Sequence, residues 1–202
     1  MIIKIVSAGS NGFKNIYQQD ENEFLIGVDG GIYNILEMGL KVDLAIGDFD
    51  SCNIEEVIMH CSNIKTFSKE KDLSDLELAV LEAIPMKAKR IEIYNATGGR
   101  LDHFIAAVNI IILYSEHNIV MFDERNYFQI IKKDSIIKKD KYTYCSIFAL
   151  EENTIVSLLG FKYQLENHHL PIFNNLCLSN EILEEKARIK VNNKRVLVVQ
   201  TL

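Results

Sequence analysis

Four times in its first half, this chain passes from a short β-branched apolar stretch into an aspartate- and glycine-rich cluster and then into a helical pattern. The clusters are Asp29-Gly30-Gly31, Gly47-Asp48-Phe49-Asp50-Ser51, Lys71-Asp72-Leu73-Ser74-Asp75 and Thr97-Gly98-Gly99-Arg100-Leu101-Asp102-His103. Strands alternating with helices pack as a mainly parallel, doubly wound sheet with helices on both faces. Each cluster then falls at the carboxyl end of a strand. In an open parallel sheet those ends converge on one crevice, where ligands bind. Carboxylates gathered there repel one another unless a cation or a proton holds them together. With only oxygen ligands on offer the expected cation is Mg²⁺, recruited together with phosphate oxygens. The pattern implies Mg²⁺-dependent chemistry on a phosphorylated nucleotide.

The periodicity predicts buried strands at 2–6, 23–28, 43–46, 64–67, 90–94 and 118–122, and helices at 31–38, 54–60, 75–84 and 101–116. The third helix has a capping box, Ser74 with Glu77, and Pro85 stops it. After Arg125 the pattern changes to short alternating runs at 127–131, 135–137, 143–149, 154–159, 176–178, 188–191 and 195–200. Turn residues separate them about every ten residues, as in an antiparallel sandwich. Lys132-Lys133-Asp134 and Asn192-Asn193-Lys194 read as hairpin turns. The expected organisation is an α/β catalytic domain over 1–124 and an all-β domain over 125–202.

Charge divides the same way. Residues 1–124 carry 10 Lys and Arg against 20 Asp and Glu, a balance of −10, and residues 125–202 carry 12 against 8, a balance of +4. An acidic lobe does not suit nucleic acid, whose binding depends on Lys and Arg neutralising phosphates. It can hold a polyphosphate only through a divalent cation. No apolar run approaches the roughly 20 residues of a membrane helix, and 105–114 is expected to be a buried helix. The stretch 1–6 lacks the features of a signal peptide, so a cytoplasmic protein without membrane contact is expected. Cys52, Cys61, Cys145 and Cys177 show no metal spacing and read as reduced thiols. The adjacent His168 and His169 do not make a zinc site.

Each cluster carries a chemical reading beside a structural one. If 47–51 stays extended, Asp48 and Asp50 face the same way and can share one Mg²⁺ while Phe49 points inward. Alternatively Asp50 or Ser51 caps the next helix. Gly30 and Gly31 open a helix whose N–H groups suit an anion, or simply make a tight turn. Asp72 and Asp75 complement a helix dipole, or Asp75 is a third Mg²⁺ ligand with Lys69 or Lys71 near phosphate. Thr97, Gly98 and Gly99 with Arg100 resemble a phosphate cradle, the guanidinium offering paired donors. His103 is either structural or a proton shuttle.

Taken in order, DGG, GDFDS, KxxDxSD and TGGRxDH resemble the thiamine pyrophosphokinase family. Gly160-Phe161-Lys162-Tyr163-Gln164-Leu165 and Ser179-Asn180-Glu181 are similar to two further segments of it. Ile32 stands where alanine is usual, Asn95 where glycine is common, and Tyr163 in place of tryptophan. The resemblance implies an α/β domain, a C-terminal β-sandwich and a homodimer with shared active sites. It also implies transfer of a diphosphoryl group from ATP to thiamine, leaving AMP. By that likeness Asp48, Asp50 and Asp75 hold Mg²⁺. Asp29, Gly30, Gly31 and Arg100 line the nucleotide and phosphate site, and Tyr163, Ser179 and Asn180 serve thiamine. Either Asp75 or Asp102 would accept the hydroxyl proton. Two rivals remain: a DxD phosphatase with Asp48 as nucleophile, and a nucleotide- or thiamine-sensing protein without turnover.

Overall fold

The computed structural model describes every residue except Asn11, Asp50, Ser51, Cys52, Ser68, Lys69, Glu70 and Lys71, and the side chain of Ile54. The expectations for Asp50, Cys52, Lys69 and Lys71 therefore lie outside the described residues. The chain forms two compact units, Met1–Glu124 and Arg125–Leu202.

Among the described residues of the first unit, six strands and five α-helices follow one another. They are β1 (Ile2–Val6), α1 (Phe13–Ile16), β2 (Glu23–Val28), α2 (Gly31–Leu36), β3 (Leu44–Gly47), α3 (Ile54–His60), β4 (Ile64–Thr66), α4 (Asp75–Ala83), β5 (Arg90–Tyr94), α5 (Leu101–Leu113) and β6 (Ile119–Phe122). The strands lie in the order β4-β3-β2-β1-β5-β6, every pair parallel. β1 and β5 are buried nearly end to end, charged residues included: Lys4 donates to Glu23 at 2.7 Å, and Glu92 accepts from the Tyr94 hydroxyl at 2.7 Å. Val6, Leu25, Ala45 and Tyr94 pack with Phe13, Ile32, Ile35 and Val57 from α1, α2 and α3. Their strand neighbours Ile5, Ile26, Ile46 and Ile93 are as fully buried and by strand alternation face the other way. The helix α4 crosses β1, β2 and β3 on its way from one edge to β5.

Half of the capping box is present: the Glu77 N–H donates to the Ser74 hydroxyl at 3.2 Å, while the Glu77 carboxylate accepts from the Tyr114 hydroxyl at 2.8 Å. Beyond Ala83, Pro85 sits in a short 3-10 turn, Ile84–Met86. The helix after β3 is capped by Asn53, whose side chain accepts from the Glu55 N–H at 3.1 Å, in place of the aspartate or serine expected. The α1 helix escaped the sequence reading because four residues give no periodicity. The expectation of a buried helix at 105–114 holds for one face only. Ala107, Ile110 and Ile111 are buried while Ile105 and Leu113 are well exposed. Among the described residues no helix is long and apolar enough to cross a membrane.

The second unit contains β7 (Asn126–Ile131), β8 (Ser135–Lys138), β9 (Tyr144–Ala149), β10 (Ile155–Leu159), β11 (Leu165–His169), β12 (Lys186–Val191) and β13 (Val196–Thr201). β7, β13 and β9 form one antiparallel group, and β11, β10, β12 and β8 another. Ile147, Val196 and Val198 of the first group share a core with Val156, Leu158 and Ile189 of the second. Two sheets around one core make a sandwich.

Both expected hairpin turns prove to be something else. Residues 132–134 join β7 to β8 and residues 192–194 join β12 to β13, in each case linking different sheets. Charge and Asn content mark a turn but not which strands pair across it. The expected strand at 176–178 is a turn, because the Asn174 side chain accepts from the Leu176 N–H at 2.7 Å and the Leu178 N–H donates to the Asn175 carbonyl at 3.0 Å. Conversely β11, with the unpromising sequence LENHH, is a strand because it pairs with β10.

Candidate active site

The first unit's strand order reverses between β1 and β5, and a cleft of about 620 Å³ opens at their carboxyl ends. Ser7, Ala8 and Gly9 enter it from β1, Val28 and Asp29 from β2, and Leu73 to Leu76 from the start of α4. Ala96 to Arg100 follow β5, and α5 supplies His103, Ala106, Ala107 and Ile110. Small side chains and glycines dominate the loops while the deeper residues are apolar, the mixture expected of a small-molecule site.

Asp29 has a left-handed backbone, φ 46°, and its N–H donates to the Ile46 carbonyl at 2.9 Å, tying the tips of β2 and β3. Its carboxylate fills the space beside Gly47: a Cβ there would lie 1.9 Å from Asp29 Oδ1. Gly30 and Gly31 do not line the cleft. Gly31 lets α2 seat on β1, since a Cβ would come within 2.0 Å of the Val6 carbonyl oxygen. Ile32 is fully buried in the core, so the larger residue at that position is absorbed by packing.

Asp48 is half-buried at the end of β3. Phe49 does point inward, 5 % exposed in the core, but its φ of 55° turns the chain there. The extended backbone expected at Phe49 is absent. Asp75 is the first residue of α4 and lines the cleft, and Asp72 is exposed outside it. Among the described residues no three of His, Cys, Asp and Glu gather as a metal site.

The turn after β5 is the most constrained part. Asn95 is fully buried with φ 58°, a conformation glycine or asparagine accepts at low cost, which accounts for asparagine where glycine is common. The Gly9 N–H donates to the Asn95 carbonyl at 2.9 Å, and a Cβ on Gly98 would lie 2.0 Å from the Gly9 carbonyl oxygen. The β1 and β5 loops thus touch backbone to backbone. Thr97 donates its hydroxyl to the carboxylate of Asp123, which is 8 % exposed. Gly99 borders open space.

Arg100 and Asp102 form an exposed fork, Nη2 to Oδ2 at 2.5 Å and Nε to Oδ1 at 3.3 Å. The Arg100 hydrogen bond holds the Asp102 carboxyl below the usual carboxylate range, and the same contact raises the guanidinium. Arg100 and His103 line the cleft; Asp102 does not. Sequence reasoning missed Ser7, Ala8, Gly9 and Asp123. Gly9 follows a strand as the other glycines do, but no aspartate accompanies it.

In the second unit, residues 160–164 form the loop of the β10–β11 hairpin. Phe161 is fully buried, and Tyr163 is 61 % exposed. Asn180 holds that loop: its Oδ1 accepts from the Tyr163 N–H at 3.0 Å and its Nδ2 donates to the Tyr163 carbonyl at 2.8 Å. Ser179, with φ 55°, donates its N–H to the Ser146 hydroxyl at 2.9 Å. Lys162 pairs with Glu181 at 2.6 Å and lies over the Tyr163 ring at 5.7 Å. The three residues assigned to one ligand by sequence thus belong to one structured patch, with Asn180 buried beneath it.

A doubly wound α/β unit with its cleft at the switch point, walled by a Gly-Gly-Arg turn and carboxylates, has the form of a phosphate-handling ligand domain. Residues 17–122 match the family described as "Thiamin pyrophosphokinase, catalytic domain", and residues 133–197 match "Thiamin pyrophosphokinase, vitamin B1 binding domain". A thiamine pyrophosphokinase of Bacillus subtilis is 30% identical over 198 residues, covering 92% of each chain. The crystal structure of thiamine pyrophosphokinase from that organism superposes with a TM-score of 0.88 at 28% identity, over 100% of this chain and 99% of the other. A thiamin pyrophosphokinase from Geobacillus thermodenitrificans gives 0.86 at 28% identity, over 100% and 98%. The chain belongs to the thiamin pyrophosphokinase family, whose reaction is the ATP-dependent diphosphorylation of thiamine.

Proposed function

We propose that the switch-point cleft binds ATP and that this chain moves its two outer phosphates together onto the hydroxyethyl oxygen of thiamine. The observation that carries the reading is the Thr97-Gly98-Gly99-Arg100 turn lining one cleft with Asp29 and Asp75. The alcohol oxygen attacks the β-phosphorus, the bond from that phosphorus to the α-phosphate oxygen breaks, and AMP leaves. Positioning and charge stabilisation do most of the work in such transfers. Backbone N–H groups of the turn and the Arg100 guanidinium suit the phosphate oxygens. The nucleophile's proton passes to a carboxylate. Asp75 lines the cleft and would accept it on an oxygen the ion leaves free, whereas Asp102 does not line the cleft.

The donor set fits Mg²⁺: Asp29 and Asp75 line the cleft, Asp48 follows Gly47 directly, and all offer oxygen. Asp48 and Asp75, with Asp50, would hold the ion. Bound there, it would neutralise charge on the outer phosphate oxygens. Tyr163, Ser179 and Asn180 form the thiamine-recognising patch, the exposed Tyr163 ring offering a face to a cationic thiazolium. A homodimer fits the exposure of Phe173, Leu176, Leu178 and Leu183 in the second unit. A cytoplasmic location fits the free thiols of Cys61, Cys145 and Cys177.

The test is incubation with ATP, Mg²⁺ and thiamine, followed by chromatography of products. AMP and thiamine diphosphate in equal amounts are expected. Asp48→Asn should lose turnover at saturating Mg²⁺ while keeping its fold. Release of ADP would refute diphosphoryl transfer, and ATP binding without any product would favour a sensing protein.

A further inference from the structure

Asp123 lies just past the end of β6, outside every motif the sequence singled out. It is 8 % exposed and accepts the hydroxyl hydrogen of Thr97. Burying a carboxylate carries a desolvation cost that the protein retains only where hydrogen bonds offset it. One partner here is Thr97, the first residue of the glycine turn, whose glycines supply no side chain to hold its shape. Gly98 and Gly99 contribute no side chains, Gly99 borders open space, and Arg100 is directed to Asp102. Among the described residues the turn is tied at Gly98 by its close approach to Gly9, at Thr97 by the bond to Asp123, and at Arg100 by a carbonyl that accepts from the Phe104 N–H at 3.1 Å. The neighbouring Glu124 makes a separate tie, accepting from the Asn15 amide of α1, and neither of those residues lines the cleft.

We propose that Asp123 is a positioning residue for nucleotide binding: acting through the Thr97 hydroxyl, it holds the 97–100 turn in the shape that meets the phosphates. This rests on the reading of the cleft as the ATP site. The geometry requires an acceptor at Asp123 and a hydroxyl donor at Thr97, and no contact of Asp123 with either substrate. Asparagine keeps an acceptor oxygen at the same reach, whereas alanine does not. Valine at 97 keeps the shape and removes the donor.

The experiment measures binding of a non-hydrolysable ATP analogue, both Michaelis constants and the thermal midpoint for Asp123→Ala, Asp123→Asn, Thr97→Val and the Ala/Val double variant. Loss of one hydrogen bond should weaken nucleotide binding about five- to tenfold in Asp123→Ala and in Thr97→Val. The double variant should lose clearly less than the sum of the two single losses, because both remove the Thr97–Asp123 bond. KM for thiamine should stay put, and Asp123→Asn should recover most of the affinity. Glu124→Gln should leave both Michaelis constants unchanged. Should Asp123→Ala fail to fold, Thr97→Val removes the same bond from the other end.

Additive losses in the double variant would overturn the proposal, as would equal shifts in both Michaelis constants or full nucleotide affinity in Thr97→Val. Arg100→Ala separates the two readings. Analogue binding that survives it would take down the ATP assignment and this proposal together. Binding weakened there but unchanged in the Asp123 and Thr97 variants would sink the positioning role alone.

Discussion

The Asp29 carboxylate occupies the space that a side chain on Gly47 would need, with Oδ1 only 1.9 Å from where that Cβ would stand. Two of the acidic-glycine clusters are thereby one structural device. The glycine of the second makes room for the aspartate of the first, and the 2.9 Å bond from the Asp29 N–H to Ile46 fixes their relative height. The left-handed backbone of Asp29 turns its carboxylate toward the strand tips.

Gly47→Ala should therefore cost about 1–3 kcal/mol of stability through overpacking, and activity should fall further than stability because Asp29 is displaced from the cleft. Asp29→Ala in the same background should restore the denaturation midpoint without restoring turnover. A Gly47→Ala protein of normal stability and activity would show that the strand tips yield freely.

The doubly wound sheet was legible because β-branched runs buried on both faces carry a strong signal, and because each Asp-Gly cluster punctuated one. The strand-end placement of Asp29, Asp48 and the Thr97–Arg100 turn followed from it. What stayed hidden was non-local. Nothing in the letters says that Gly9 and Gly98 touch, that Asp123 meets Thr97, or that Phe49 turns the chain instead of extending it. Nor does a turn signature at 132–134 reveal that its two strands belong to different sheets. Such facts arise from which elements pack together, and a local pattern carries no record of that.

On the proposed reading Arg100 meets a phosphate, and its Nε and Nη2 contacts with Asp102 then compete with the substrate. Arg100→Lys should lower kcat/KM for ATP on the order of tenfold, about 1.4 kcal/mol, since lysine cannot present a planar fork. Asp102→Asn should leave KM for ATP equal or lower. Asp75→Asn should lower kcat by about a hundredfold or more, as expected for a lost proton acceptor. A larger fall in kcat for Asp102→Asn than for Asp75→Asn would reverse the assignment of that role.

Asn180 fixes the loop that presents Tyr163, so its loss should resemble loss of the ring itself. Asn180→Ala should raise KM for thiamine in the same direction as Tyr163→Ala, with KM for ATP unchanged in both. It should also cost about 1–3 kcal/mol, because the Tyr163 backbone groups lose their buried partner, whereas the exposed Tyr163 side chain can be removed with little effect on stability. Denaturation curves and steady-state kinetics on the two variants check both halves. A Tyr163→Ala enzyme with unaltered thiamine kinetics would remove this loop from the substrate site.

Burial pushes the Cys145 thiol up to about 12 and the Cys177 thiol to about 11, from an ordinary 9.0. Each group keeps its proton in the folded chain at a pH where the unfolded chain has lost it. A raised folded pKa gives stability that is complete below the unfolded value and is lost as pH rises through the folded one. Stability should thus decline from about pH 9 upward, with the slope fading toward pH 12. Cys145→Ala and Cys177→Ala should each flatten that slope while shifting the whole curve down for the lost packing. Neither thiol should react with iodoacetamide in the native state at pH 8, and both should do so in denaturant. Denaturant titrations at half-unit pH steps provide the measurement. Equal alkaline slopes in the parent and the double alanine variant would mean that other groups govern this limb, and rapid native alkylation of Cys145 would mean that the core around Ile147 and Val198 opens far more readily than its packing indicates.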